Sequence, residues 1–448
     1  MISGIEHQGS EPPPSAYGAA GLEDPPPVAA DWCERIDVAI IGGGLTGLSA
    51  AYHLAATAGR IAVFEAHGFG HGASGRAFGQ VVPYLKHRNS RLLETYGNER
   101  GQKIVADIAA GPDLVFGIIV REHIVCAQMQ TGLLFGARTA GGQRSLEATA
   151  AEWQALGAPI EMLAGTAAST LCGSALYPAV LLDRRGGHLD PLAYTRGLGR
   201  AATSRGVRLY ANTPIERLSR AGRHWQLTTR SRTAIADTVI LATNAYPANL
   251  SDGLAASFVA VQVHGAITAA IPNDAMVKIL PGNQPLTDTR RLYSGVRKLG
   301  NRLHLTVDGP IFSPGGTPDL GMAKARLAEL YPWLPPPVFA ETWRGLIAVT
   351  SDQLPRVHEL APGLWTGFGY SGRGLAAATI VGRDLARRVL GRPEEDLTFP
   401  VSPLRPLRSH RLARLAVAAT ISAYRWLDRR EAPAPLSRTS LHGRTINR

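Results

Sequence analysis

The stretch "RIDVAIIGGGLTGLSAAYHLA", residues 35 to 55, decides the fold. Val38, Ile40 and Ile41 read as a short apolar strand, and Leu48, Ala51 and Leu54 recur on one helical stripe. Between them, Gly42-Gly43-Gly44-Leu45-Thr46-Gly47 matches G-x-G-x-x-G. The glycines differ in purpose. Gly42 makes the tight turn, Gly44 lets the backbone approach a pyrophosphate, and Gly47 lets the helix pack closely on the strand. The helix N-terminus then offers N–H donors and positive potential to the phosphates. A second strand, "RIAVFEA" (Arg60 to Ala66), ends in Glu65, eighteen residues after Gly47. A carboxylate there accepts hydrogen bonds from the hydroxyls of an adenosine ribose. The spacing predicts a dinucleotide-binding strand–helix–strand unit.

The segments beyond Glu65 decide which dinucleotide binds. The first is long and Gly-rich, "HGFGHGASGRAFGQVVPYLK" (His67 to Lys86), and its backbone donors suit an extended ligand. Far downstream, "GFGYSGRGLAAATIVG" (367 to 382) packs Gly367, Gly369, Gly372 and Gly374 into eight positions. Leu375, Thr379, Leu385 and Val389 then continue as a helical stripe. A strand, a glycine turn and a helix start therefore recur, but no acidic strand end comes after them at the required distance. This stretch reads as the far wall of the first site.

"GASGRAFGQ" (Gly72 to Gln80) resembles the G-A-S-G-R-N-x-G segment of FAD-dependent amine and amino-acid oxidoreductases, the D-amino-acid-oxidase-like superfamily. The γ-glutamylputrescine oxidoreductase branch is the most similar. Residues 186–218, 236–250 and 341–386 resemble further segments of that family, so the likeness spans roughly residues 35 to 410. It implies an α/β fold: a Rossmann-like FAD-binding domain interleaved with an α+β substrate domain on a mostly antiparallel sheet. The expected division is a leader at 1–34, FAD-binding pieces at 35–90, 186–255 and 336–395, substrate pieces at 91–185 and 256–335, and a basic tail at 396–448. "YPWLPPPVF" (Tyr331 to Phe339) is a proline-stiffened crossing.

The resemblance implies FAD as the cofactor and carries over a set of contacts. They are Gly42, Gly44, Leu45, Thr46, Gly47, Glu65, Ala73, Ser74, Arg76, Gln80, Ile215, Ala242, Thr243, Gly369, Gly372, Arg373, Gly374 and Leu375. Arg76, not His71, stands where relatives attach the flavin covalently, which implies noncovalent FAD. Amides around Gly372 to Leu375 would face the ring edge where negative charge collects on reduction. The implied activity is oxidation of a C–N bond in an amine or amino acid, with oxygen or a quinone taking the electrons.

The substrate side is less defined. Tyr370, Trp343 and Arg344 are the candidate catalytic residues. Trp343, Tyr370 and Tyr293 can form an aromatic cage for an ammonium group or simply pack. Arg344 can anchor substrate or pair with Asp352, and Arg76 can hold a carboxylate or brace its loop. His264 reads as structural, and Lys278 and Lys298 are positive charges available for oxygen chemistry. Relatives carry Gly-Gly where this chain has Thr306-Val307, and Ala77-Phe78 replaces an Asn-small pair, so an altered substrate pocket is expected. An altered pocket also keeps a non-catalytic flavoprotein subunit in view. A nicotinamide dehydrogenase would not need the 367–375 turn, and a flavin hydroxylase would carry a G-D-A segment that is absent.

Composition narrows the remaining classes. The chain has 448 residues, 45% hydrophobic and 18% charged, as in a soluble globular protein. Cys33, Cys126 and Cys172 form no C-x-x-C pattern, which argues against a disulfide framework and a metal site and fits the cytoplasm. From Val401 onward ten arginines face only Asp428 and Glu431, which is +8 of the net +12. Basicity is thus a tail property and not a nucleic-acid footprint. From about His410 the tail reads as an amphipathic helix with Leu412, Leu415, Ala419 and Trp426 among its apolar members. Such a helix can lie on an acidic membrane surface, which for a cytoplasmic protein means the inner membrane, or dock on its own FAD domain.

Overall fold

Two eight-stranded sheets organise the chain. The computed structural model describes residues 31–56, 59–246, 250–309 and 320–431. Most of the expected leader and the end of the basic tail lie outside the described residues. The leader's last residues are packed: Trp32 tilts against Phe64 and Tyr210 and donates to the Thr233 carbonyl at 2.6 Å.

The first sheet is the Rossmann-like one. Arg35–Ile41 lies at its centre, paired in parallel with Ile61–Phe64 on one side and Thr233–Leu241 on the other. Arg208–Tyr210 and Leu364–Phe368 extend it, also in parallel, and Arg356–Ala361 closes it antiparallel. The central strands are apolar nearly throughout because helices cover the sheet. Helix Leu45–Leu54 comes after the first strand, and helix Gly374–Val389 after the strand Leu364–Phe368. These two helices pack on each other so closely that a Cβ at Gly382 would meet the Thr46 carbonyl at 2.6 Å.

The second sheet runs, by strand, Phe339–Val349, Val259–Thr268, Arg302–Asp308, Ser294–Leu299, Leu286–Asp288, Leu133–Ala137, Ala179–Asp183 and Ile160–Ala164. It is antiparallel except where Leu286–Asp288 meets Leu133–Ala137. Pairing moves two expected borders. Phe339–Val349 lies within the expected FAD piece 336–395, yet it forms an edge of this second sheet. Conversely, helices Asn98–Ala109 and Gly111–Arg121, expected on the substrate side, share a core with the FAD-side helices; a Cβ at Gly111 would touch Ala376 and Ile380 at 3.2 Å.

The C-terminal helix His410–Arg430 docks on the second sheet rather than on the FAD domain. His410 meets the Phe258 carbonyl at 3.0 Å at one end, and Asp428 accepts the Arg291 and Leu292 amides at the other.

Candidate functional site

The first glycine turn is built by exclusion. Gly42 has φ +114°, open to glycine and costly for other residues, and an added Cβ would lie 2.7 Å from the Ala242 carbonyl oxygen. A Cβ on Gly47 would overlap the Gly42 carbonyl, and one on Gly44 would lie 2.8 Å from the Ser74 hydroxyl. The helix leading out of this turn has no side-chain cap of its own and no acidic residue in its first turn. Ser74 instead reaches over from the short helix Ala73–Arg76 and accepts the Leu45 amide at 2.9 Å. The hydroxyl thereby sits at the positive helix end with its own hydrogen left for an anion.

Glu65 follows the second strand, Ile61–Phe64, beside this turn. One carboxylate oxygen accepts the Gly43 amide at 2.7 Å and the other the His67 amide at 3.0 Å. Each oxygen keeps a lone pair for a hydroxyl. Thr213 donates its amide to the Glu65 carbonyl, and Ile215 is buried with Phe64 and Leu241 behind this edge. Ala242, the last contact on the return strand, donates to Ile41 at 2.7 Å, and Thr243 comes next in the chain.

The second turn lies across from the first. Gly369 and Gly372 both have φ +95°, and Ser371 is left-handed at +49°. Helix Gly374–Val389 begins behind Arg373 without a side-chain cap and without an acid in its first turn. Its leading amides therefore remain available. Tyr370 joins the two turns: its hydroxyl pairs with Thr46 Oγ1 at 2.7 Å. That contact points Tyr370 into the core, away from the space in front of the turn. Leu375 is buried beneath it.

Whether these residues fit FAD is tested by Gln80. Its Oε1 accepts from the Tyr293 hydroxyl at 3.1 Å, while its buried Nε2 has no partner among the described residues. A buried unpaired amide donor is costly, and a flavin carbonyl is the kind of acceptor that would relieve it. Together with two helix ends that lack a side-chain cap of their own and a carboxylate at the ribose strand, the donor set fits FAD.

The second sheet presents one face to these turns, and its two-residue period sorts the candidates. Trp343, Gly265, Thr306 and Gly295 form one row across four strands. Gly345, Val263, Asp308 and Tyr293 form the next: the Asp308 amide donates to the Tyr293 carbonyl, and the Asp308 carboxylate accepts the Tyr293 amide. Trp343 is buried over Gly265 and donates to the Arg76 carbonyl at 3.0 Å, so it braces the cofactor loop. Arg76 is itself buried, beside Gly345. Arg344, one residue on from Trp343, falls on the opposite face together with His264. Asp352, its alternative partner, is taken by Arg356. Thus Trp343, Tyr370 and Tyr293 do not converge as a cage. Lys278 lies over Trp333, 5.8 Å from its centre, and Lys298 stands toward the hairpin turn at Gly300, far along its strand from Tyr293. His71 stacks on His67, 4.2 Å between rings.

Beside Tyr293 and Arg373, the cleft holds Tyr84, Lys86 and Asp308, which the sequence alone does not single out. Tyr293 is 38% exposed, though surrounding protein raises its phenol pKa. Arg373 lies 4.8 Å over the Tyr84 ring and donates to the Leu85 carbonyl. Burial pushes its guanidinium pKa down, and no carboxylate pairs with it among the described residues. Lys86 is lowered by lost hydration, and Asp308 is raised by burial despite the nearby Lys86 and Arg425. Strand alternation from Thr306 could have flagged Asp308; nothing local flags Tyr84 or Lys86. The altered pocket is visible too, since Phe78 lies against Gly295 and Thr306 is packed beside it.

Known proteins agree with this architecture. The family described as "FAD dependent oxidoreductase" (DAO) matches residues 37–388. The chain is 29% identical to a probable oxidoreductase OrdL of Rhizobium meliloti, covering 81% of this chain and 84% of that protein. It is 27% identical to γ-glutamylputrescine oxidoreductase of Escherichia coli, covering 87% and 91%. Among solved structures, L-proline dehydrogenase from P. horikoshii superposes with a TM-score of 0.68 at 18% identity, over 82% of this chain and 96% of that one. Glycine oxidase from Geobacillus kaustophilus does so with 0.66 at 24%, over 80% and 96%. These matches set aside the nicotinamide and non-catalytic readings. The chain belongs to the DAO family of FAD-dependent oxidoreductases, and it is an enzyme whose cofactor is FAD.

Proposed function

We propose that this enzyme oxidises the C–N bond of an amino acid, and that the substrate carboxylate is held by Arg373. The observation that carries this reading is a half-buried guanidinium with no carboxylate partner among the described residues, placed in the second glycine turn 4.8 Å over the Tyr84 ring. A planar guanidinium matches a carboxylate bidentately, and the Tyr84 hydroxyl, without a partner among the described residues, supplies a further donor. When bound in this cradle, FAD would supply the two-electron oxidant that turns the substrate's C–N bond into an imine. Everything else is positioning by the chain. Gly42 to Gly47 and Ser74 hold the pyrophosphate, Glu65 the ribose, and Gln80 Nε2 a ring carbonyl. Amides from Gly372 to Leu375 favour the charge that reduction brings.

Only a neutral amine releases hydride readily, so the substrate ammonium must lose a proton. Two cations, Arg373 and Lys86, disfavour a third charge of the same sign in the cleft. Asp308, the one carboxylate on the facing row, takes the proton. Its pKa is raised by burial, which brings it nearer to working pH. Activity on this account rises with pH as Asp308 ionises. Asp308→Asn should abolish that acid limb of the kcat/KM profile. Oxygen or a quinone would take the electrons, and any contact with the inner membrane would fall to the C-terminal helix.

The test is an anaerobic screen of amino acids, N-methyl amino acids and carboxylate-free amines for bleaching of the flavin band, repeated with oxygen to measure peroxide. Amino acids should bleach it and the matched amines should not. Arg373→Leu should raise KM for an amino acid at least tenfold. Bleaching by amines alone would overturn the carboxylate assignment.

A further inference from the structure

The helix His410–Arg430 has a mixed inner side, which the fold covers, and an apolar outer side, which it leaves open. The inner side carries His410, Val417, Ile421 and Asp428, all partly buried against the second sheet and the 291–292 segment. The outer side carries Leu412, Leu415, Ala419, Ala423 and Trp426, spaced three or four residues apart over nearly four turns, with Ala416 beside them. Leu412 is 66% exposed, Leu415 57% and Trp426 52%, and among the described residues nothing covers them. Scattered exposed leucines are ordinary, but a stripe running the length of a docked helix is not explained by the fold.

The charges beside the stripe name its partner. Arg408, Arg411, Arg429 and Arg430 are all exposed, and Arg430 lies 3.8 Å over the Trp426 ring. The helix's one acid, Asp428, is turned inward onto Arg291. An apolar band edged by arginines with an aromatic at its margin is complementary to an anionic lipid surface. A second copy of the chain would bring the same arginines together and repel itself. No described helix is long and apolar enough to cross a membrane, so the contact is interfacial.

We infer that the outer face of helix 410–430 docks the folded enzyme onto an anionic bilayer, with Leu412, Leu415 and Trp426 entering the headgroup boundary and Arg411, Arg429 and Arg430 pairing with lipid phosphates. The helix is preformed on the sheet, so binding does not have to order it. Its inner end holds the segment leading into Tyr293, which sets the cleft and the bilayer on one element.

The experiment is flotation of the full-length holoenzyme with phosphatidylglycerol-containing vesicles and with purely zwitterionic ones. Binding should appear on the anionic vesicles and weaken at least about tenfold between low and roughly 0.5 M salt. Leu412→Ser with Leu415→Ser and Trp426→Ser should abolish it while the flavin spectrum and turnover stay as in the parent. Replacing Arg411, Arg429 and Arg430 by Gln should remove the anionic preference. Equal binding to zwitterionic vesicles, no binding at low salt, or full binding by the stripe variant would each overturn the inference. So would a concentration-dependent dimer that the stripe variant loses, since the stripe would then be an interface between copies.

Discussion

Two glycine turns end two parallel strands of the same sheet, and both lead into helices whose own N-cap residue supplies no side-chain cap, yet their glycines are needed for different reasons. At residues 42–47 the requirement is space. Gly42, Gly44 and Gly47 each face an atom that a Cβ would strike, two of them backbone oxygens. At residues 367–375 the requirement is mixed. Gly367 is packed against Val381, but Gly372 has only Ile347 Cδ1 at 3.6 Å and is distinguished by its φ of +95°. The first turn is a steric joint between strand and helix. The second is in part a backbone shape, set by the positive φ of Gly369, Ser371 and Gly372. Within the second turn the two requirements separate by residue: Gly367 and Gly369 are crowded by Val381 and the Leu354 carbonyl, while Gly372 is not crowded.

The comparison breaks most sharply at Gly47. Gly47→Ala places a methyl inside the Gly42 carbonyl and forces helix Leu45–Leu54 off its strand, which should cost about 3 kcal/mol or more. The expected result is poor soluble yield and at least a tenfold lower flavin-to-protein absorbance ratio. A well-folded yellow variant would show that this joint has slack. Gly372→Ala should separate the two effects. Nothing blocks the methyl, but an L-residue in left-handed backbone costs about 1–2 kcal/mol. The variant should fold with a slightly lower Tm, retain FAD about tenfold less tightly and shift the flavin potential negative, because the amides from Gly372 to Leu375 move. Unchanged retention and potential would remove those amides from the flavin site.

What the sequence makes readable divides along the same line. The first turn and Glu65 are legible because close backbone approach to a phosphate admits one residue type at fixed short spacing. The second turn is legible as a turn, but the direction of the Arg373 side chain is not, since it depends on Tyr84 and Leu85 some 288 residues away. Trp343 and Arg344 look like partners in one site because they are adjacent, although a strand sends neighbours to opposite faces. Asp308 needs the register that pairs it with Tyr293. For the C-terminal helix, periodicity marks the amphipathic pattern, but Val417 and Ile421 on one side and Leu412 and Leu415 on the other are equally apolar. Which side docks is settled by Asp428 reaching Arg291, a contact no local pattern encodes.

Tyr370 is where the two turns meet, and it offers the smallest and most discriminating effect. Its hydroxyl touches Thr46 at 2.7 Å and the Gly367 carbonyl at 3.3 Å, so it ties the steric joint to the second turn's backbone. Burial raises its phenol pKa, which keeps it a neutral donor across the working range. Tyr370→Phe keeps the ring and deletes the tie, at about 1 kcal/mol. If the residue is a brace, Tm falls by a few degrees, kcat and KM stay within about twofold, and a cycle with Thr46→Val returns a coupling of roughly 0.5–1.5 kcal/mol. If it acts on substrate, Tm barely moves while kcat falls more than tenfold, and the coupling to Thr46 vanishes. The first outcome is expected, because one hydroxyl hydrogen donated toward Thr46 or Gly367 is not also available to a substrate on the other side of the turn.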